Sequence, residues 1–157
     1  MPPYNPHNQR GKNQNRERRE EPPRPPDKQI QSEWLTNRIT EAAIDHAEKV
    51  GRYLAATGFT TSQFRNFYGE LKRIQLNGIE QNTSAFLLLR PKLAYAVARS
   101  SSGRNKAEGS EFFRDLITSG MQIVAPDNDG SETRFKNFCD YTEAVLAFHK
   151  AAGGRDQ

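Results

Sequence analysis

The side chains best supplied for chemistry in this sequence are its cations. Between Arg52 and Lys106 nine Lys/Arg stand against only two Asp/Glu, Glu70 and Glu80. Residues 107–157 carry five Lys/Arg and nine Asp/Glu, and residues 29–51 carry two and four, so the +4 net charge hides a strong segregation. A stretch this one-sided attracts polyanions, whereas a surface selected for solubility alone intersperses its signs. Few aromatics share the basic faces, so the expected chemistry is contact with backbone phosphates, which gives affinity without sequence reading.

Other chemistries lack their residues. His7, His46 and His149 have no paired spacing that would chelate a metal. His46 and His149 fall on apolar stripes and read as core or boundary histidines. Cys139 is the only cysteine, which excludes an internal disulfide and a cysteine-cluster zinc site; within an apolar run it reads as a small core residue. There is no Gly-rich phosphate loop and no serine-nucleophile elbow. Asp127-Asn128-Asp129-Gly130 carries its glycine too early for a calcium loop and no Glu closes it, so a turn leading into a helix cap is expected. The expectation is a protein that is not an enzyme and needs no cofactor or metal.

The elements that would position the cations are helices. Apolar residues at Leu35, Ile39, Ala42, Ala43, His46, Val50 and Leu54 predict a first helix from about Gln29 to Thr57, stopped by Gly58. Thr60 and Gln63 form the pattern of a capping box for a second helix with Phe64, Phe67, Leu71 and Ile74 on one stripe, ending near Asn77-Gly78. A third opens at Asn82 or Thr83. It is apolar on nearly all sides, which places it in the middle of a bundle, with Pro91 kinking or dividing it at Arg90. Ser100–Ser110 reads as a mobile loop, followed by a short fourth helix over Phe112–Gly120 and a possible strand at Met121–Ala125. After a turn at Pro126–Gly130, a fifth helix carries Phe135, Phe138, Thr142, Val145, Leu146 and His149 and stops before Gly153. The fold class is all-α, a compact bundle of about five helices, antiparallel because the connections are short.

At about 100° per residue, Arg65 and Lys72 project together opposite the apolar stripe of the second helix, with Arg73 flanking them. Lys92 and Arg99 are also seven apart if the third helix continues past Pro91. Lys49 and Arg52 lie one turn apart near the Gly58 turn, and Arg104 and Lys106 in the predicted loop. Residues 1–28 hold seven of the nine prolines with seven Lys/Arg and four Asp/Glu. They read as a disordered tail, residues 29–152 as the bundle domain and 153–157 as a flexible end. No apolar run reaches membrane-spanning length and no secretory signal opens the chain, so a cytoplasmic protein is expected.

Three blocks carry a resemblance to a known family. They are Thr60-Thr61-Ser62-Gln63-Phe64-Arg65-Asn66-Phe67-Tyr68, Leu88-Leu89-Arg90-Pro91-Lys92-Leu93-Ala94-Tyr95-Ala96, and the run from Phe135-Lys136-Asn137-Phe138 to His149-Lys150. In this order and spacing the chain resembles, over residues 35–150, the small helical subunit of type III-A CRISPR effector complexes, the Csm complex. The resemblance implies a non-catalytic subunit present in several copies, stacked beside the backbone subunits along a guide RNA and target RNA duplex and touching target-strand phosphates. It leaves cleavage chemistry to the backbone and large subunits, and makes copies of this chain, those subunits and the RNAs its partners. It frees Arg65, Arg90, Lys92 and Lys136 to touch RNA, while Phe64, Phe67 and Phe138 read as core. The Pro/Arg-rich tail departs from the family's compact pattern. Three other readings stand beside it. The first is a helix-turn-helix DNA-binding regulator using the Thr57–Thr60 turn with Ser62, Gln63 and Asn66 as base readers. The others are a scaffold whose basic middle docks on an acidic protein, and a metal-dependent RNase using Asp127 or Asp129.

Overall fold

The computed structural model describes residues 24–99 and 104–155, and the side chains of all of these except 104–107. Residues 1–23, most of the expected tail, lie outside the described residues, as do 100–103 of the expected loop and the last two of the chain. A 3-10 turn over Ser32–Trp34 precedes five helices: α1 Glu41–Ala56, α2 Thr61–Asn77, α3 Thr83–Arg99, α4 Arg104–Val124 and α5 Ser131–Ala151. No strand occurs among the described residues. The fold class is the one expected.

The first helix is shorter than its periodicity suggests. It begins at Glu41 because Thr40 adopts an extended conformation and its hydroxyl accepts from the Ala43 N–H at 3.2 Å, a local alternative to helix propagation. Thr36 likewise donates to the Ser32 carbonyl. The chain before α1 is instead a strap across the bundle. Ile30 and Leu35 are buried in it, the Ile30 N–H donates to Ser119 Oγ at 3.0 Å, and Asn137 Nδ2 donates to the Leu35 carbonyl at 2.8 Å. Asp27 and Lys28, expected to end the tail, already contact the fold through His46 and Asp115.

The capping box forms in both directions. Gln63 N–H donates to Thr60 Oγ1 at 3.3 Å and Thr60 N–H donates to Gln63 Oε1 at 3.0 Å. Gly58 supplies the left-handed backbone of the preceding turn at φ +78°.

Helix α3 corrects two expectations. It is not divided at Arg90 but continues through Pro91 as one helix; the carbonyl that Pro91 cannot satisfy belongs to Leu87, on the exposed side. It lies on the flank, packed on α2 and α4, with only Phe86, Leu89 and Leu93 buried. Leu87, Leu88 and Tyr95 remain 47%, 54% and 65% exposed. The middle belongs to α5, which packs along α1 and against α2 and α4.

Helix α4 starts at Arg104, inside the predicted loop, and continues past Gly120 through the segment that could have been a strand. Gly120 is not a stop. A Cβ there would stand 2.5 Å from Phe138 Cε2, so the glycine lets α4 lie close on α5. Gly51 does the same for α1, where a Cβ would come within 2.7 Å of the His149 backbone nitrogen. The turn before α5 ends at Gly130 with φ +80°, and Arg134 closes it by donating to the Asp129 and Val124 carbonyls at 2.8 and 3.1 Å. An aromatic cluster fills the junction of α2, α4 and α5, with Phe64–Phe113 and Phe59–Phe113 ring centroids 5.0 and 5.1 Å apart.

Candidate nucleic-acid interface

The cations that the fold gathers most closely lie where α2 meets α3. Phe67 from α2 and Leu89 and Leu93 from α3 form an apolar floor between the two helices. Above it runs a groove of about 480 Å³ edged by Gln63, Asn66, Glu70, Lys92 and Arg99. The spacing of Lys92 and Arg99, two turns apart on an unbroken α3, puts both on this one edge. Arg99 lies over the Tyr95 ring at 5.7 Å, a cation–π contact on an open surface. Glu70 sits among these groups and is shared. Its Oε2 accepts from Arg73 Nη2 at 3.0 Å and lies 3.6 Å from Lys92 Nζ across the groove. The Arg73 hydrogen bond holds the Glu70 carboxyl below its ordinary range, with Lys92 adding to it.

The remaining sequence-predicted cations are spread over other faces. Arg65 is exposed on α2 and makes no ion pair with a described residue. Lys72 does not project freely beside it. It leans toward α5, 3.7 Å from Glu143, with its ammonium over the Tyr68 ring at 5.4 Å, and the hydrogen bond with Tyr68 raises its pKa. Lys136 of α5 pairs with Asp140 at 3.0 Å. Arg52 pairs with Glu48 one turn back on α1, and Lys49 is exposed on the same helix. Arg90 is exposed on the other side of α3, where it lines a shallow depression with Pro91 and Arg114. Arg104 and Lys106 fall on the first turn of α4 rather than in a loop, and their side chains lie outside the described set. The fold thus brings Lys92, Arg99 and Arg73 together around one groove and leaves Lys49, Arg52, Arg90 and Lys136 apart from it.

Three residues on the two sides of α3 escape sequence reasoning. Glu70 reads only as an i, i+3 partner of Arg73; its reach to Lys92 depends on where α3 docks. Tyr95 and Arg114 depend on α3 being a flank helix, which its apolar composition argues against.

The acidic residues gather elsewhere. Glu80, Asp127, Asp129 and Glu132 line a cleft of about 430 Å³ at the α4–α5 turn, beside the start of α3. Among the described residues no group of three or more His, Cys, Asp or Glu side chains is placed to hold a metal ion.

The buried titratable groups belong to the core. His46 is bonded on both nitrogens, Nδ1 2.8 Å from Tyr141 Oη and Nε2 2.9 Å from the Asp27 carbonyl. Because the carbonyl can only accept, Nε2 carries the proton and Nδ1 accepts from the tyrosine. Burial lowers the His46 pKa, outweighing the Asp27 contact that raises it. His149 is bonded only through Nε2, to the Phe59 carbonyl at 2.6 Å. Cys139 is buried and its thiol is pushed up to about 12.

The model of the Csm2 Type III-A family matches residues 38–155. The chain belongs to that family. It therefore falls in the small-subunit family of the type III-A Csm complex, a non-catalytic family whose members work among other subunits. No curated protein and no solved structure matches it significantly. The matched span takes in α1 to α5 and the three blocks that carry the resemblance, and begins after the strap. No helix among the described residues is long and apolar enough to cross a membrane.

Proposed function

We propose that this Csm2-family chain is a non-catalytic small subunit of a cytoplasmic type III-A RNA-guided effector in antiviral defence. Several copies line the duplex of guide RNA and target RNA and hold target-strand phosphates. The observation that carries the reading is the α2–α3 groove, where Lys92 and Arg99 edge an apolar floor and Arg73 is drawn to the same place through Glu70, in a chain of this family. Arg65, on the opposite side of α2, and Arg90, Lys136, Lys72, Arg104, Lys106, Lys49 and Arg52 supply further, outlying positive charge. Contacts of this kind neutralise phosphates, release counterions and weaken steeply with salt.

The test is binding of target RNA to the purified complex, with and without Lys92→Glu and Arg99→Glu together. The reading expects loss of most target affinity, a shallower salt dependence, and intact assembly. Unchanged RNA binding with failed assembly would instead favour the scaffold role, for which the exposed Leu87, Leu88 and Tyr95 of α3 are the supporting observation. The helix-turn-helix reading loses ground because Gln63, one of its base readers, is committed to the Thr60 capping box.

A further inference from the structure

We infer that Glu70 occupies, in the free protein, the position of a strand phosphate, and that RNA binds by displacing it. The inference rests on the RNA-binding reading above and adds a device to it: an internal anion that sets how strongly the α2–α3 groove takes a polyanion. Three observations converge. First, one carboxylate oxygen is shared by cations from two helices, Arg73 at 3.0 Å and Lys92 at 3.6 Å. The point between them is therefore already an anion position, defined by two donors that α2 and α3 hold separately.

Second, both donors are open to solvent, with side-chain exposures of 54% for Arg73 and 58% for Lys92. Ion pairs at that exposure are weak and screened, so an incoming phosphate has little to overcome. The Arg73 guanidinium offers a planar fork that suits phosphate oxygens as well as a carboxylate. Third, Glu70 is one of only two acidic residues between Arg52 and Lys106, and it is the one that stands inside the groove. A carboxylate placed to maximise stability could pair with either cation from outside. Placed between them, it halves the charge that a nucleic acid meets and keeps both donors aimed at one point.

The consequence is a groove that discriminates by charge density. A solitary anion must compete with a tethered carboxylate, while a polymer that also meets Arg99 at the end of the same groove gains counterion release at several points and displaces it. Removing the carboxylate charge should therefore tighten polymer binding rather than loosen it.

The experiment compares the full chain with Glu70→Gln, and with Glu70→Gln combined with Lys92→Gln, for binding a labelled single-stranded oligouridylate by fluorescence anisotropy across a salt series. Expected is binding about two- to fivefold tighter for Glu70→Gln at low salt, the size of one exposed ion pair. The log–log salt slope should be steeper by about 0.7, as for one added phosphate contact on a single strand. The added Lys92→Gln should return the slope to the starting value, and the melting temperature of Glu70→Gln should stay near that of the starting chain. Equal affinity and slope for the starting chain and Glu70→Gln, with binding lost in Lys92→Glu, overturns the inference and leaves the RNA-binding reading standing. Weaker binding with a lowered melting temperature also overturns it, making Glu70 a cross-link between helices. If neither protein binds the oligomer at low salt, the inference and the RNA-binding reading both fall.

Discussion

His46 and Cys139 show how burial decides what a reactive side chain does in this chain. The Cys139 thiol is buried on the inner side of α5, with its ionisation pushed up to about 12, chiefly by desolvation. The thiolate is the nucleophile, so the folded protein should resist alkylation by iodoacetamide at pH 8 and react stoichiometrically once unfolded in guanidinium. Rapid native labelling would mean that α5 opens readily around Cys139. His46 is the acid-sensitive group. Its folded pKa lies below the unfolded value of about 6.5, mainly through burial, so the unfolded chain binds the proton more readily. Its contribution to stability is complete above that value and is lost as pH falls through the lowered folded value. Melting temperature should therefore drop between pH 7 and pH 5, and His46→Gln should flatten that slope while lowering stability at neutral pH through the lost Tyr141 bond. An equally steep slope in the variant would assign the acid sensitivity to other groups. At this scale much was legible: a lone cysteine and a histidine on an apolar stripe both read as core, and are. What could not be read was Glu70, whose meaning comes from a lysine on a different helix.

At the scale of elements, two kinds of signal act, and they differ in legibility. Caps are local. Thr60 and Gln63 are three residues apart, so their reciprocal bonds follow from the sequence and appear in the structure; Thr60→Ala should cost about 0.5–2 kcal/mol in denaturant unfolding. Close helix approach is not local. Gly51 and Gly120 both lie inside helices, where a glycine ordinarily marks weakness or an end. Only the partner explains them: the α5 backbone at His149 for Gly51, and the Phe138 ring for Gly120. From the sequence, Gly120 therefore reads as a stop, whereas α4 runs on to Val124. Gly51→Ala should destabilise by about 1–3 kcal/mol because the backbone it meets cannot rotate away, although alanine is the better helix former; a neutral or stabilising result would show that α1 and α5 can separate without loss. Apolar content misled in the same way for α3. Its leucines argued for a central position, yet α5 takes the middle because it presents apolar groups to α1, α2 and α4 at once, and the surplus on α3 is left outside.

For the molecule as a whole, the charge segregation seen along the chain becomes a polarity in space. Helix α3 begins beside the acidic cleft of Glu80 and Asp127 and ends at Arg99 of the basic groove, a span of about 25 Å for its 17 residues. Keeping those two ends at fixed positions requires a rigid bundle, and the strap before α1 is part of what fixes it. The strap lies outside the stretch matched to the Csm2 family, which starts at residue 38, yet it contributes two buried side chains to the common core. Ile30 reaches the surface of α4 that Gly120 leaves open, where a Cβ would stand 2.8 Å from Ile30 Cδ1. Leu35 is fully buried, and its carbonyl satisfies the buried Asn137 amide of α5. Asp27 meets His46 of α1, and Lys28 meets Asp115 of α4 at 3.4 Å, so a single extended segment ties three helices together. Burying Ile30 and Leu35 should be worth about 3–6 kcal/mol, and leaving Asn137 without its acceptor about 1–3 kcal/mol more. A chain starting at residue 38 should therefore unfold at markedly lower urea than one starting at residue 24, with a reduced slope because less surface is exposed on unfolding. The salt-dependent RNA binding proposed for the groove between α2 and α3 should persist at temperatures where it is still folded, since that groove takes nothing from the strap. Equal stability of the two chains would show that the bundle closes over Gly120 and Asn137 unaided, and loss of RNA binding in the folded shorter chain would place part of the interface on the strap itself.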